Sequence, residues 1–448
     1  MTRKLFVALV VLGGAIRIAT LPLPGTRDVG VWKIWTYNAA LHSPARLYGV
    51  GGSPPEHRVL NFHGAEATVD YPPLALFELG LVGRAYRLVS PAFPDTAALT
   101  AAIKLLLLVF EIGFLALAFF AVRTGAGLDA ARWAAAAYWM NPAPIVGASI
   151  LCYLDPLFVC PLVGALLAGC SGWPFLAGVL FAASVLTKAQ AVVVLPAVAL
   201  ALWNGGAGRD RWRRFARGGA GATLAVVAIL APIVAAGALP NMVAAMESLT
   251  RHDMLSGNAC NLWWIVGYLL RAWYSMADMG VWPALTAPAK ILAISRTIEI
   301  GYPNPRMIGA AMTIGAMAWA LWTASHVRDR FLIAAVGAFM VHAYATLSAQ
   351  VHENHLFAAV PLLVVAAAGR PRLRAVMWTV SAIFALNLNL FYGISEYIDG
   401  WSVPRGITVI DLTVLLAVAN CVTLLWHAAV LRSECFAAAA LQRSPAPG

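Results

Sequence analysis

The chain has 448 residues, 61% of them hydrophobic and 11% charged, with a formal net charge of +11 and a mean hydropathy of +0.77. Soluble domains run about 45–50% apolar with roughly 25% charge, so a soluble enzyme is excluded. The positive charge is not a nucleic-acid footprint either: the arginines stand in short loops between apolar runs, where membrane orientation alone puts them.

In chain order, MTRKLFVALVVLGGAIRIATLPLPG comes first, with a basic start and an apolar centre. Arg17 interrupts the run and no small-x-small cleavage site follows, so it reads as an uncleaved first span rather than a signal peptide. Apolar runs of about 17–25 residues then recur, each long enough for a hydrocarbon core of about 30 Å. Spans are expected at 5–22, 98–122, 131–149, 156–170, 173–188, 190–203, 219–238, 307–325, 331–348, 356–369, 375–392 and 407–431. Residues 73–90, PLALFELGLVGRAYRLVS, are apolar too, but Glu78, Arg84 and Arg87 suit a surface or half-inserted helix better. Residues 260–295 form either two short spans or interfacial segments.

The expected fold class is an all-α polytopic membrane protein with about 12 transmembrane helices (roughly 11–14). Three regions follow: 1–238, an N-terminal transmembrane module that includes a first outer loop at 23–97; 239–306, an outer loop with interfacial or short-span segments; and 307–448, C-terminal helices with a short cytoplasmic tail. With Arg3 and Lys4 inside, the basic loops around Arg123 and Arg132, Arg209–Arg217, Arg328 and Arg330, and Arg370–Arg374 all fall on the cytoplasmic side.

That orientation puts the polar clusters outside: TRDVGVW (26–32), VDYPP (69–73), LCYLDP (151–156), TKAQ (187–190), SGNACNLWW (256–264) and QVHENH (350–355). A charged group costs about 2.5–3.5 kcal/mol at a helix centre and less at the edge. So many at one face point to a shared polar cavity. The six cysteines show no CxxC spacing, which argues against a disulfide framework or a thiolate metal site.

Each candidate carries two readings. Asp28, followed by Trp32 and Trp35, is either an exposed loop acid beside interfacial tryptophans or a functional carboxylate. Asp70, before Tyr71-Pro72-Pro73, either caps or folds its loop or acts directly. Asp155 either caps the helix beginning at Pro156 or touches substrate. Lys188, with Gln190 at a junction of two spans, either snorkels to the interface or meets a phosphate arriving from the lipid phase. His352 and His355 stand three apart with Glu353 between them, unlike the HExxH zinc pattern, whose ligands are four apart. Two imidazoles and a carboxylate exceed what a helix cap needs, so a binding role is expected. Lys104 and Glu111, seven apart on one helical face, read as structural ion-pair residues rather than a proton path. The glycine runs near 205–208 and 218–222 follow no strand and form no phosphate loop.

The combination of TRDVGVWKIW, VDYPPLALF, NPAPIVGASILCYLDP and QVHENHLFAAVP resembles the GT-C superfamily of membrane glycosyltransferases. It is most similar to the ALG6/ALG8-type glucosyltransferases and their bacterial relatives. DYPPL matches well and VHENH is similar to that family's VHEK-type motif, while TKAQ departs from the Lys-Pro-Gln string of bacterial relatives. The resemblance implies a GT-C-like bundle whose long first periplasmic loop carries interfacial helices. It also implies transfer of a hexose, glucose or mannose, from a polyprenyl-phosphate-sugar donor to a glycan, lipid or other hydroxyl acceptor, with inversion. Asp28 matches the family's general base. Lys188 and His352, supported by His355 and Gln190, would then stabilise the leaving phosphate. Asp70 and Glu353 would orient the loop or the sugar, and Tyr71, Asp155, Asn258 and Asn261 complete the expected substrate-binding set.

Alanine- and arginine-rich usage adds a bacterial source, so the expected location is the bacterial inner (plasma) membrane, with the site facing the periplasm. No cofactor is expected. Asp28, Asp70 and Asp155 could offer oxygen ligands, but without a DxD or DxE pair in the first outer loop no metal is expected. Membrane lipid is an expected partner and nucleic acid is not. The alternative is a transporter or flippase of lipid-linked sugars, which would carry inverted repeats and broken midplane helices; the sequence shows no convincing repeat. A structural envelope subunit would leave the clustered acids and histidines unexplained.

Overall fold

The computed structural model describes residues 1–49, 58–249, 252–395 and 410–443. Parts of the first outer loop, of the 239–306 region and of the C-terminal tail, and residues 407–409 of the last expected span, lie outside the described residues.

Helices occupy every expected span. Among the described residues, five helices are long and apolar enough to cross a membrane by length and composition: Ala97–Ile150, Arg209–Ala235, Arg330–Leu347, Leu373–Tyr392 and Leu412–Ala440. Asp155–Cys170, Pro174–Thr187, Ala189–Asn204 and Glu353–Gly369 are shorter apolar helices. Sixteen residues of helix, as in Asp155–Cys170, rise only about 24 Å, less than the hydrocarbon thickness. Arg3–Thr20 has the length, but its 18 residues include Arg3, Lys4 and Arg17. The stretch beginning at Ala97 serves two expected spans because Gly127, at φ 85° and ψ 175°, breaks it into two arms. The chain is a multi-pass helical membrane protein.

Its helices share two ends. At one, Arg370 pairs with Asp329 and with Glu434, Arg330 reaches Thr124, and the N-terminal amine meets Asp129. These are the loops expected to be cytoplasmic. Arg330–Leu347 runs from that end to the other, where Tyr344 approaches His355. Between the ends, the largest apolar cluster joins side chains from Phe114 to Ala438. A second cluster, from Val29 to Met242, binds the first outer loop to the bundle.

That loop is itself helical. Asp28–Leu41 lies against Pro73–Val89. The contact is close because Gly83 has no side chain: a Cβ there would stand 2.3 Å from the Thr36 carbonyl oxygen. Pro73 opens the second helix at a position that loses no backbone hydrogen bond. A hairpin of Leu60–Phe62 and Ala65–Ala67 turns at His63 and Gly64, both at positive φ, as a two-residue type I′ turn requires.

Candidate active site

The VDYPP segment is fixed first by its backbone. The Tyr48 hydroxyl donates to the Tyr71 carbonyl at 2.6 Å, and the Trp35 indole donates to the Thr68 carbonyl at 3.1 Å. The Tyr71 ring packs edge-on against Trp32 at 5.2 Å and tilted against Trp35 at 5.4 Å. Both tryptophans are buried on the helix that begins at Asp28, so that helix and Tyr71 form one wall.

Lys188 sits opposite, extended between Pro174–Thr187 and the 3-10 helix Ala189–Val194. Its ammonium donates to Asp155 Oδ1 at 2.8 Å and lies 5.7 Å from the centres of the Tyr71 and Phe158 rings. Asp155, 1% exposed, also accepts from Asn354 Nδ2 at 3.1 Å and Gln190 Nε2 at 3.5 Å. Its carboxylate therefore joins three segments instead of capping its own helix.

The first half of QVHENH is extended and the second half is helical. Gln350, at φ 64°, turns the chain, and Val351–His352 pairs in parallel with Ser256–Gly257. A 3-10 helix, Glu353–Leu356, follows. The extended pairing brings the 252–258 segment over the motif: His252 Nδ1 lies 3.3 Å from His352 Nε2. The His352 and His355 rings stand 5.6 Å apart, and Tyr344 contacts His355 Nδ1 at 3.2 Å.

Glu353 is buried. The Tyr153 hydroxyl donates to it at 2.6 Å. Burial pushes its carboxyl up to about 7, against the hydrogen bonds of Tyr153 and Tyr392. Burial likewise holds His352 down at about 4 and His355 well below the usual imidazole range. Asp70 is raised by burial, with the charges of His252 and Lys188 opposing.

Asp28 is exposed, yet it belongs to this field. The Tyr71 hydroxyl is pushed well above its ordinary value by burial and then by the carboxylates of Asp155, Asp70, Asp28 and Glu353. Tyr153 is raised by burial and then by Glu353, Tyr392 and Asp28. The fields of four carboxylates from distant segments thus reach one phenol, and the Lys188 ammonium lies 5.7 Å from its ring. That is an arrangement for handling protons beside a charged ligand.

The remaining expected residues divide. Asn258, at φ 56°, donates to the Tyr392 hydroxyl at 3.2 Å and so joins the cluster through it. Asn261 is fully buried; it caps Leu262–Met279 by accepting from the Trp264 amide and donates to the Ala345 carbonyl. Tyr153, His252, Asn354, Tyr344 and Tyr392 were not singled out by sequence. Tyr153 and Asn354 stand inside quoted motifs and His252 lies four residues before SGNACN, whereas Tyr344 and Tyr392 end apolar helices and carry no signal.

No protein-family model matches the chain, and no curated protein matches it in sequence. Among solved structures it is similar to ArnT from Cupriavidus metallidurans in the apo state, at 14% identity and a TM-score of 0.48, over 96% of this chain and 76% of that one. It is also similar to the Archaeoglobus fulgidus oligosaccharyltransferase tethered with an acceptor peptide, at 13% identity and a TM-score of 0.42, over 97% of this chain and 55% of that one. A third is the archaeal oligosaccharyltransferase AglB from Archaeoglobus fulgidus with an inhibitory peptide and a dolichol-phosphate, at 13% identity and 0.41, over 96% and 56%. The chain spans about half the length of these oligosaccharyltransferases. Likeness at this level assigns no role to any residue.

Proposed function

We propose that the chain is an integral-membrane glycosyltransferase of the bacterial inner membrane. In this reading it moves a hexose from a polyprenyl-phosphate-sugar donor to an acceptor hydroxyl on the periplasmic face, with inversion. The observation that carries the reading is the buried Lys188–Asp155 pair beside Tyr71, with Glu353 and the clustered His252, His352 and His355 near it, at one end of an apolar bundle.

The chemistry asks for those groups. The acceptor hydroxyl gives its proton to Asp28 as its oxygen attacks the anomeric carbon from the face opposite the phosphate. The bond from that carbon to the phosphate oxygen breaks, and the carrier leaves as a phosphomonoester with one more negative charge than it had in the donor. Lys188 is the cation best suited to meet it. An ammonium has three donors, and Asp155 takes one. His352 and His355 add ring N–H donors, and Gln190 adds its amide. Glu353, held by the Tyr153 hydroxyl, and Asp70 orient sugar hydroxyls. No metal or other cofactor enters this scheme.

The test uses purified protein in lipid with labelled polyprenyl-phosphate glucose and polyprenyl-phosphate mannose, a membrane extract as acceptor, and Asp28→Asn beside the wild type. Transfer by the wild type alone supports the enzyme and its base. Transfer by both removes Asp28 as base. Movement of intact lipid-linked sugar across the bilayer without transfer would replace the enzyme with a transporter.

A further inference from the structure

Lys104 is 2% exposed on the helix Ala97–Trp139. The carboxylate two turns along the same face is already taken: Glu111 accepts from Arg17 at 3.0 and 3.1 Å. The Lys104 ammonium donates instead to three backbone carbonyls, those of Thr20 at 3.0 Å, Leu23 at 2.8 Å and Ile150 at 3.0 Å. An ammonium has three N–H groups, so these acceptors use it up.

The three carbonyls belong to two arms of the site. Thr20 ends the first helix and Leu23 follows it, on the way to Asp28. Ile150 ends the π-helix Ile145–Ile150, just before Tyr153 and Asp155. Both are C-terminal helix ends, where unpaired carbonyls carry partial negative charge. One cation between them binds both. The arms meet again beside it: the Thr26 amide donates to the Leu151 carbonyl at 3.2 Å. Gly25 permits that approach at φ +79°, since a Cβ there would stand 2.8 Å from the Leu151 oxygen.

We propose that Lys104 is a positioning residue that fixes the spacing between Asp28 and the Tyr153–Asp155 segment by clamping the two helix ends that lead to them. Its effect on rate rests on the glycosyl-transfer reading; the clamp itself does not. Lys104 touches no reacting atom. It acts through Asp28 on one arm and through Tyr153 and Asp155 on the other.

The test takes the full chain in lipid nanodiscs and compares Lys104→Met, Lys104→Arg and Gly25→Ala with the wild type. Two readouts are needed: amide hydrogen exchange over 23–29 and 150–155, and transfer kinetics. Lys104→Met should speed exchange in those two segments by about tenfold or more, with other segments unchanged. Its kcat should fall about 100-fold, the loss expected of a catalytic group displaced by about 1 Å, while the donor KM stays within about threefold. Lys104→Arg keeps charge and donors and should recover part of both effects. Gly25→Ala strikes the same junction without touching a charge and should repeat the local exchange and the kcat loss, which decides the matter if Lys104→Met does not fold. Unchanged exchange in the two segments, an increase spread evenly over the protein, or an unchanged kcat in a transferring enzyme would overturn the proposal. If the local exchange rises and the wild type transfers no sugar, the clamp stands and the transfer reading falls.

Discussion

Asp155 has left water for one lysine, one asparagine and one glutamine, and Lys188 is 7% exposed beside it. Removing one partner of a buried pair strands the other, at a cost of about 3–5 kcal/mol. Lys188→Met should therefore lower the thermal midpoint and abolish transfer. Lys188→Met with Asp155→Asn should regain most of the stability, because no charge is stranded, and none of the activity. Recovery of transfer by the double variant would sink Lys188 as the phosphate's cation.

Glu353 gives a second test, with a definite sign. Burial pushes its carboxyl up to about 7 from an ordinary 4.5, so between those values the folded state should hold more protons than the unfolded one. Stability from this group is full below about 4.5 and is lost as pH rises towards 7, by an amount of the order of 3 kcal/mol. His352, held at about 4 against 6.5, acts oppositely: its neutral form is kept in the fold, so stability is gained as pH rises from 4 to 6.5. Glu353→Gln should remove the first slope and leave the second, so the variant's melting temperature should climb between pH 4.5 and 6.5 relative to the wild type. Parallel curves for the two proteins would show that Glu353 does not titrate in that window.

The helix that begins at Asp28 owes its place to small residues facing it. Gly83 meets the Thr36 carbonyl, and Gly80 meets Ala39. Gly83→Leu should push Asp28–Leu41 off Pro73–Val89, at about 1–3 kcal/mol for overpacking, and lower transfer more than donor binding. Equal losses in both would mean that the helix only supports the fold. Sequence pattern did foresee both a helix over 73–90 and its opening at Pro73, because apolar periodicity and proline chemistry are local. It did not foresee that Val351–His352 runs extended before the helical turn at Glu353, since the pairing that fixes it comes from Ser256–Gly257, nearly a hundred residues earlier. His252 stayed hidden for the same reason: its partner is His352, and nothing near it in sequence marks a site. The ion pair of Glu111 was foreseen as a kind, but its partner is Arg17 and not Lys104, a choice made by the packing of two helices.

Apolar length made the helical bundle legible, because it is a demand of the bilayer on each segment separately; arginine placement sets the expected orientation by the same kind of local rule. Which segments lie side by side is a matter of packing between distant helices, and no single-segment rule reports it. The expectation that basic loops and polar clusters occupy opposite membrane faces can be checked directly. Glu66 lies exposed on the first-loop hairpin, and Ser325 lies exposed at the end shared with Asp329 and Arg370. With an impermeant thiol reagent on intact cells, Glu66→Cys should be labelled and Ser325→Cys should not, until the membrane is opened. The unmutated chain serves as the control for its own six cysteines. Labelling of both from one side would break the two-ended arrangement. Labelling with the opposite sidedness would keep the arrangement but put Asp28 in the cytoplasm, and a reaction on the periplasmic face could then not be its work.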